Sequence, residues 1–337
     1  MRDREIDIVR GILILLVVIG HGAPNIAHDI IFLFHMPLFF VLSGVLLQRK
    51  CLLQVSYIKK KIFDLMIPYL AFLTIDFLLI RRLDAPIMLV RMLYGGRSIS
   101  GVYWYMTCYV SALIIFHLIV SKFSDKSVKC IILAGGGIAV LESHLVERIH
   151  YLQSPGMPWN IDVSLMALVY IGIGFFYKTE IKTLIKESSQ KCDIIAGITA
   201  ILLVFFCMLN YYGGRRFYYF DMKPVYYKEL LSAIIIPCAF GLVVVRGVHL
   251  MKNIGWFDAV LDFLSICGRA TIPIMFMHIP LNYWRNSFGY GWFTYLLIGV
   301  GVPLIFSLLF NRIPIMRKIF GLPDLSQSCY KEKEHAD

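Results

Sequence analysis

Three ionisable side chains stand where hydrocarbon is expected. Arg10 and His21 lie in an apolar run that begins at Ile6, and His35 lies in the next one, FLFHMPLFFVLSGVL. A guanidinium and two imidazoles are groups that hold anions and exchange protons. Inside a bilayer such groups are costly enough that a functional site is the default reading. Arg10 and His21 are eleven positions apart, and eleven helical steps of 100° return to within about 20° of the start, so the two share one stripe about 16 Å apart along the axis. The turn GAPNIAHD then sends the chain back, which places His35 about one and a half turns inside a second, antiparallel helix at a depth similar to that of His21. Each residue alone has a plainer reading: a membrane histidine can be a hydrogen-bonded packing residue, and Arg10 an interfacial snorkeller.

The elements that must position these groups are membrane helices. The chain of 337 residues is 58% hydrophobic and only 16% charged, with a mean hydropathy of +0.71, far outside the range of a soluble domain. The fold class is therefore all-α, a polytopic membrane protein. About ten spans are expected, near 6–22, 30–47, 63–80, 102–121, 128–146, 161–177, 193–210, 230–248, 270–285 and 291–310. They make one membrane domain, 1–311, followed by a polar tail, 312–337. The fifth span is short in its strongly apolar part and contains Gly135, Gly136 and Gly137, so it is expected to be tilted, broken or closely packed. The net charge of +11 comes from Lys and Arg spread through the connections, which argues against nucleic acid and for topology. With a cytoplasmic N-terminus, 23 of the 33 basic residues fall on the cytoplasmic side, and both termini are expected there. The eight cysteines are scattered without a C-x-x-C or a metal-site spacing, so no metal is expected.

Other residues could chemically complete a site. Tyr103, Trp104 and Tyr105 follow an outer connection and read as an interfacial belt or as substrate-lining aromatics. Asn160 and Asp162 open the sixth helix, where they could cap it or hydrogen-bond sugar hydroxyls at the outer mouth. The outer connection NYYGGRRFYYFDMKPVYYKE is rich in tyrosine and contains Asp221, a surface suited to a saccharide or to a membrane belt. The basic connection from Gln48 to Lys61 reads as a segment on anionic lipid or as a contact for an anionic substrate. Arg269 stands at the cytoplasmic entrance of the ninth span, and His278 lies nine residues further on, about 180° out of phase. Pro273 and Pro280 are expected to bend that helix. Asp76 and His117 read as packing residues.

The opening REIDIVRGILILLVVIGHG, followed by FLFHMPLFFVLSGVL, resembles the start of the acyltransferase family 3 proteins, multi-span bacterial membrane O-acetyltransferases. The likeness includes Asp7, Arg10-Gly11, His21, His35 with Pro37, Ser43 and Gly44, and further on Tyr103-Trp104, the PWNID stretch and GRATIPIMFMHIP, so it covers nearly the whole chain. The resemblance implies acetyl transfer from acetyl-CoA to a sugar hydroxyl of an exported, lipid-linked or cell-surface saccharide, in a bacterial plasma membrane and in contact with surface-polysaccharide assembly machinery. It implies that His21 acts as general base or transient acyl acceptor, with His35 holding the acceptor or stabilising the oxyanion. Arg10, oriented by Asp7, would grip CoA phosphate bidentately, with Arg269 a further donor contact. Tyr103, Trp104, Asn160, Asp162 and His278 are the implied acceptor contacts. Two other classes fit the composition: a secondary transporter or saccharide exporter, for which no internal repeat is evident, and a non-catalytic component of an assembly complex.

Overall fold

The computed structural model describes residues 3–323 apart from 24, 98–101, 147, 150–151, 153–154 and 213–215. The end of the tail and parts of two outer connections singled out above thus lie outside the described residues. The chain is an α-helical bundle in which the strands among the described residues are two short pieces of one hairpin, β1 (Phe220–Asp221) and β2 (Tyr226–Tyr227). Among the described residues eight helices are long and apolar enough to cross a bilayer, or nine if a pair bent by 81° is counted as one span. Helix α1 (Arg4–Gly22) falls outside that count because it carries Glu5, Asp7 and Arg10, but its 19 residues reach about 28 Å.

The second span is divided. Helix α2 (Asn25–Phe32) and helix α3 (His35–Leu46) meet at Leu33-Phe34. Pro37 has no N–H to donate to Leu33, and starting α3 at His35 puts the proline in a first turn, where no donor is required. His35 is therefore the first residue of a helix and not a residue one and a half turns into a continuous one. After α4 (Arg49–Leu52) comes α5 (Val55–Ile75), extended by a π turn at Asp76–Ile80, then α6 (Ala85–Tyr94), α7 (Tyr103–Lys122) and α8 (Asp125–Val146). Helix α8 is continuous: Gly136 packs against Val169 and Leu230, while Gly137 faces open space. Asp76 pairs with Arg81 at 3.1 Å, and the His117 ring meets the Leu52 carbonyl, both packing roles as expected.

The remaining helices are α9 (Ile161–Phe176), α10 (Lys178–Lys186), α11 (Gln190–Tyr212), α12 (Leu230–Lys252), α13 (Asp258–Arg269), α14 (Thr271–Leu281), α15 (Arg285–Phe288), α16 (Trp292–Phe310) and α17 (Pro314–Phe320). The expected ninth span, 270–285, begins with α14, which follows α13 across the 81° bend, and that break lies at Ala270, not at a proline. Pro273 again occupies a first helical turn, and Pro280 sits at the end of α14. The segment read as the start of a polar tail belongs partly to the bundle: Phe320 meets Phe72 with ring centroids 5.3 Å apart, and Leu322 is buried.

Glycine sets the closest helix crossing. A methyl group at Gly11 would run into the Leu264 carbonyl, and one at Gly268 into the Asp7 carbonyl. Helices α1 and α13 thus touch backbone to backbone at the Arg10 level. Gly44 and Gly174 do the same for α3 and α9. The most enclosed long helices are α7 and α9, each 72% buried, whereas α11 is only 11% buried and presents Ile201, Leu202 and Phe205 outward. Ion pairs tie the connections at each end. Arg4–Asp262, Lys252–Glu5 and Lys186–Asp3 join the N-terminal end at 2.5, 2.6 and 2.9 Å. Arg216–Asp29 and Arg97–Asp162 join the other end.

Candidate active site

His21 is the next-to-last residue of α1, and His35 opens α3, so the α1–α2 turn brings both to one cavity near the end of the bundle away from the N-terminus. The cavity measures about 290 Å³ and is lined by Val17, His21, His28, Phe32 and His35 on the first hairpin, Trp104 and Tyr105 of α7, Met275 of α14, and Asp221 and Lys223 of the β hairpin. Phe32 is its centrepiece. It stacks on His28 at 3.8 Å and takes His21 and His35 edge-on at 5.4 and 4.6 Å.

Backbone carbonyls set the histidine tautomers. Nδ1 of His21 lies 2.8 Å from the Val17 oxygen, Nδ1 of His35 2.8 Å from the Ile31 oxygen, and Nδ1 of His278 3.0 Å from the Ile274 oxygen. A carbonyl oxygen only accepts, so the neutral rings donate from Nδ1 and keep the Nε2 lone pair free. His278 packs against His21 with centroids 5.1 Å apart, and its Nε2 is buried without a hydrogen-bond partner. His21 and His35 therefore offer bases to the cavity. As a neutral ring, His35 suits holding a hydroxyl better than stabilising an oxyanion, which needs a donor.

A second cavity of about 190 Å³ lies on the N-terminal side and is lined by Arg10, Ser43, Lys61, Tyr105, Tyr109, Thr271 and Met275 among others. Phe39, Tyr105 and Met275 line both cavities and form the wall between them. Asp7 is buried beneath Arg10, whose nearer guanidinium nitrogen stands 3.9 Å from its carboxylate. Lys61, from the basic connection, joins Arg10 here and lies over the Tyr57 ring at 5.8 Å. Two cations on a solvent-narrowed wall are suited to phosphate oxygens.

Other residues singled out in the sequence fall elsewhere. Trp104 lines the histidine cavity, but Tyr103 turns away to stack on Phe276 at 5.3 Å. Asn160 is a structural clamp: its amide nitrogen donates to the Gly95 and Trp104 carbonyls, both at 3.1 Å, and to the Thr107 hydroxyl at 2.8 Å. Asp162 is engaged by Arg97 and by the Val163 amide. Neither residue lines either cavity, and Arg269, half-buried at the α13–α14 bend, lines neither. Sequence reasoning passed over His28 and Lys223, whereas Tyr105, read with its two neighbours as a belt or lining aromatic, lines both cavities. His28 stands seven residues from both His21 and His35, and a spacing of seven on α2–α3 is two helical turns, a signal that could have found it.

The bundle of long apolar helices defines a polytopic membrane protein, and its two abutting cavities set His21, His28 and His35 on one side of a thin wall and Arg10 and Lys61 on the other. The chain belongs to acyltransferase family 3, whose acyltransferase-domain model matches residues 3–312, nearly its whole length. No curated protein and no solved structure matches it. The protein is thus a membrane acyltransferase.

Proposed function

We propose that the protein is an O-acetyltransferase of a bacterial plasma membrane, taking acetyl from cytoplasmic acetyl-CoA to a hydroxyl of an exported, lipid-linked or cell-surface saccharide. The observation that carries this reading is the shared wall of Phe39, Tyr105 and Met275 between a basic cavity and a histidine cavity. In it, Arg10 and Lys61 hold phosphate oxygens of the donor while the slender pantetheine arm brings the thioester to the wall. An acceptor hydroxyl in the other cavity gives its proton to Nε2 of His21 as its oxygen attacks the thioester carbon. The carbon–sulfur bond then breaks, and the CoA sulfur leaves with the proton that His21 returns. The products are an acetyl ester and CoA thiol. Confinement of both substrates against a common wall supplies the orientation that a bimolecular reaction in water lacks.

The test is transfer of radiolabel from acetyl-CoA in membranes holding native surface-glycan precursors, with wild type beside normally inserted His21→Ala. Label in saccharide that disappears in the variant is the expected result. Equal label in both moves the chemistry off His21. No label in either, with precursors demonstrated, favours transport.

A further inference from the structure

The connection that delivers Asp221 and Lys223 to the histidine cavity is built and not slack. Asn210 at the end of α11 clamps its start, accepting from the Phe217 and Tyr218 amides at 3.1 and 2.9 Å and donating to the Tyr218 carbonyl at 2.9 Å. The hairpin pairs Phe220 with Tyr227 and Asp221 with Tyr226. Phe220, Met222, Val225 and Tyr227 are buried beneath it. Val225 holds φ at +62°, a strained conformation for a β-branched residue that persists because the surroundings over-determine it. From below, the Ser143 hydroxyl accepts the Tyr227 amide at 2.9 Å, and Arg97, anchored on Asp162, donates to the Lys223 carbonyl at 3.2 Å. Asn210, the hairpin pairing, Ser143 and Arg97 thus fix the position of one turn whose two charged side chains line the cavity.

Packing does not require those charges. One carboxylate oxygen of Asp221 accepts the Lys223 amide at 3.0 Å, a local turn bond, and the other is left for a ligand. With the Nε2 lone pairs of His21, His35 and His28, whose Nδ1 likewise meets the Gly20 carbonyl at 2.7 Å, the cavity offers four hydrogen-bond acceptors beside the flat faces of Phe32 and Trp104. That set fits a ligand rich in hydroxyl donors. Asp221 and Lys223 balance each other in charge, which favours a neutral polyol over an acidic sugar.

Building on the acetyl-transfer reading, we propose that Asp221 is a positioning residue for the acceptor, its free carboxylate oxygen taking one hydroxyl of a neutral polyhydroxylated sugar while another hydroxyl meets His21. The β hairpin is then the specificity element of the site. Burial pushes the Asp221 carboxyl up to about 6, so the charged form that grips the hydroxyl gives way to the neutral acid as pH falls through that value. The charged and titratable groups facing it are Lys223 on its own turn and His28 and Asp29 from α2. Asp29 is held by Arg216, and His21 and His35 share the cavity.

The experiment uses the full chain in nanodiscs, labelled acetyl-CoA at saturation, and a glycolipid extract of the native membrane as acceptor. Asp221→Asn keeps an oxygen for the Lys223 amide and removes only the charge. Expected is a rise in acceptor KM of about 10- to 100-fold, the range for a hydrogen bond to a charged group, with donor KM and kcat within about threefold. Wild-type acceptor KM should climb below pH 6 and that of the variant should not. Protonation of the histidines affects kcat in both proteins and is separated on that ground. Asp221→Ser, which also keeps a turn acceptor, serves if the amide variant inserts poorly. Unchanged acceptor KM with an unchanged acid limb overturns the assignment, and so does a parallel loss of kcat and both KM values, the mark of a merely structural role. Wild type that labels no saccharide overturns the transfer reading itself and this assignment with it.

Discussion

His21→Gln gives the sharpest separation of chemistry from structure. Glutamine is close to histidine in reach, but its amide takes up no proton, so the variant removes the base and leaves most of the volume. General-base catalysis contributes about 10²–10⁴ in rate, which is about 3–5 kcal/mol of barrier. The structural loss is smaller. The bond given up runs from His21 Nδ1 to the Val17 carbonyl within the same helix, a net contribution of about 0.5–1.5 kcal/mol. The edge contacts with Phe32 and His278, at 5.4 and 5.1 Å, add about 1 kcal/mol each at most. Helix α1 is held independently by its glycine crossing with α13 and by Arg4 and Glu5 at its start, so insertion should persist. Release of CoA thiol, followed at saturating acceptor in nanodiscs, is the assay. Expected is kcat lower by 10²-fold or more with donor KM within about threefold. A rate within threefold of wild type refutes the role of His21 and the tautomer argument behind it.

Two further outcomes follow from the wall and the crossing. Arg10→Lys keeps a cation in the basic cavity but loses the planar fork, so donor KM should rise about 10-fold, and calorimetric CoA affinity fall alike, without change in acceptor KM; unaltered CoA binding removes Arg10 from the phosphate contact. Gly268→Ala drives a methyl group toward the Asp7 carbonyl and should lower stability by about 1–3 kcal/mol, read as a fall of several degrees in the detergent-solubilised unfolding midpoint, with an unchanged midpoint contradicting the backbone contact.

Hydropathy made the bundle legible because every span needs a long apolar stretch, and the periodicity of 3.6 was enough to put Arg10 and His21 on one stripe. It could not place Arg10 and His21 in different cavities, because the wall between them is supplied by Phe39, Tyr105 and Met275 from three other helices. The breaks before His35 and Thr271 were hidden for a different reason. Pro37 and Pro273 read as kinks within a span, yet the cheaper solution is to begin a helix two residues earlier and place the proline in its first turn. Asn160 and Asp162 looked like mouth residues because polar groups at a helix start invite that reading. Arg97, 65 residues before Asp162, takes its carboxylate, and three α6–α7 oxygens take the Asn160 amide. Asp221 and Lys223 enter the site through tertiary attachments of a hairpin that no local pattern announces.

The histidine tautomers leave one chemical requirement open, and Tyr105 is the residue placed to meet it. With Nδ1 committed to backbone carbonyls, His21, His35 and His278 present lone pairs, and a tetrahedral intermediate needs a donor for its oxyanion. Tyr105 lines both cavities, while the Ser43 hydroxyl of the basic cavity gives its proton to the Phe39 carbonyl at 2.9 Å. Tyr105 thus brings a phenolic O–H, a donor, to the wall that the two cavities share. Removing one oxyanion donor lowers kcat by about 10²–10³, and Tyr105→Phe should do so while the ring still stacks on Tyr109 at 6.1 Å and keeps the wall closed. Tyr105→Phe with kcat within threefold of wild type would leave the oxyanion to Lys223 or to bound water. A variant that instead loses donor binding would show that the hydroxyl serves the basic cavity and not the reacting carbonyl.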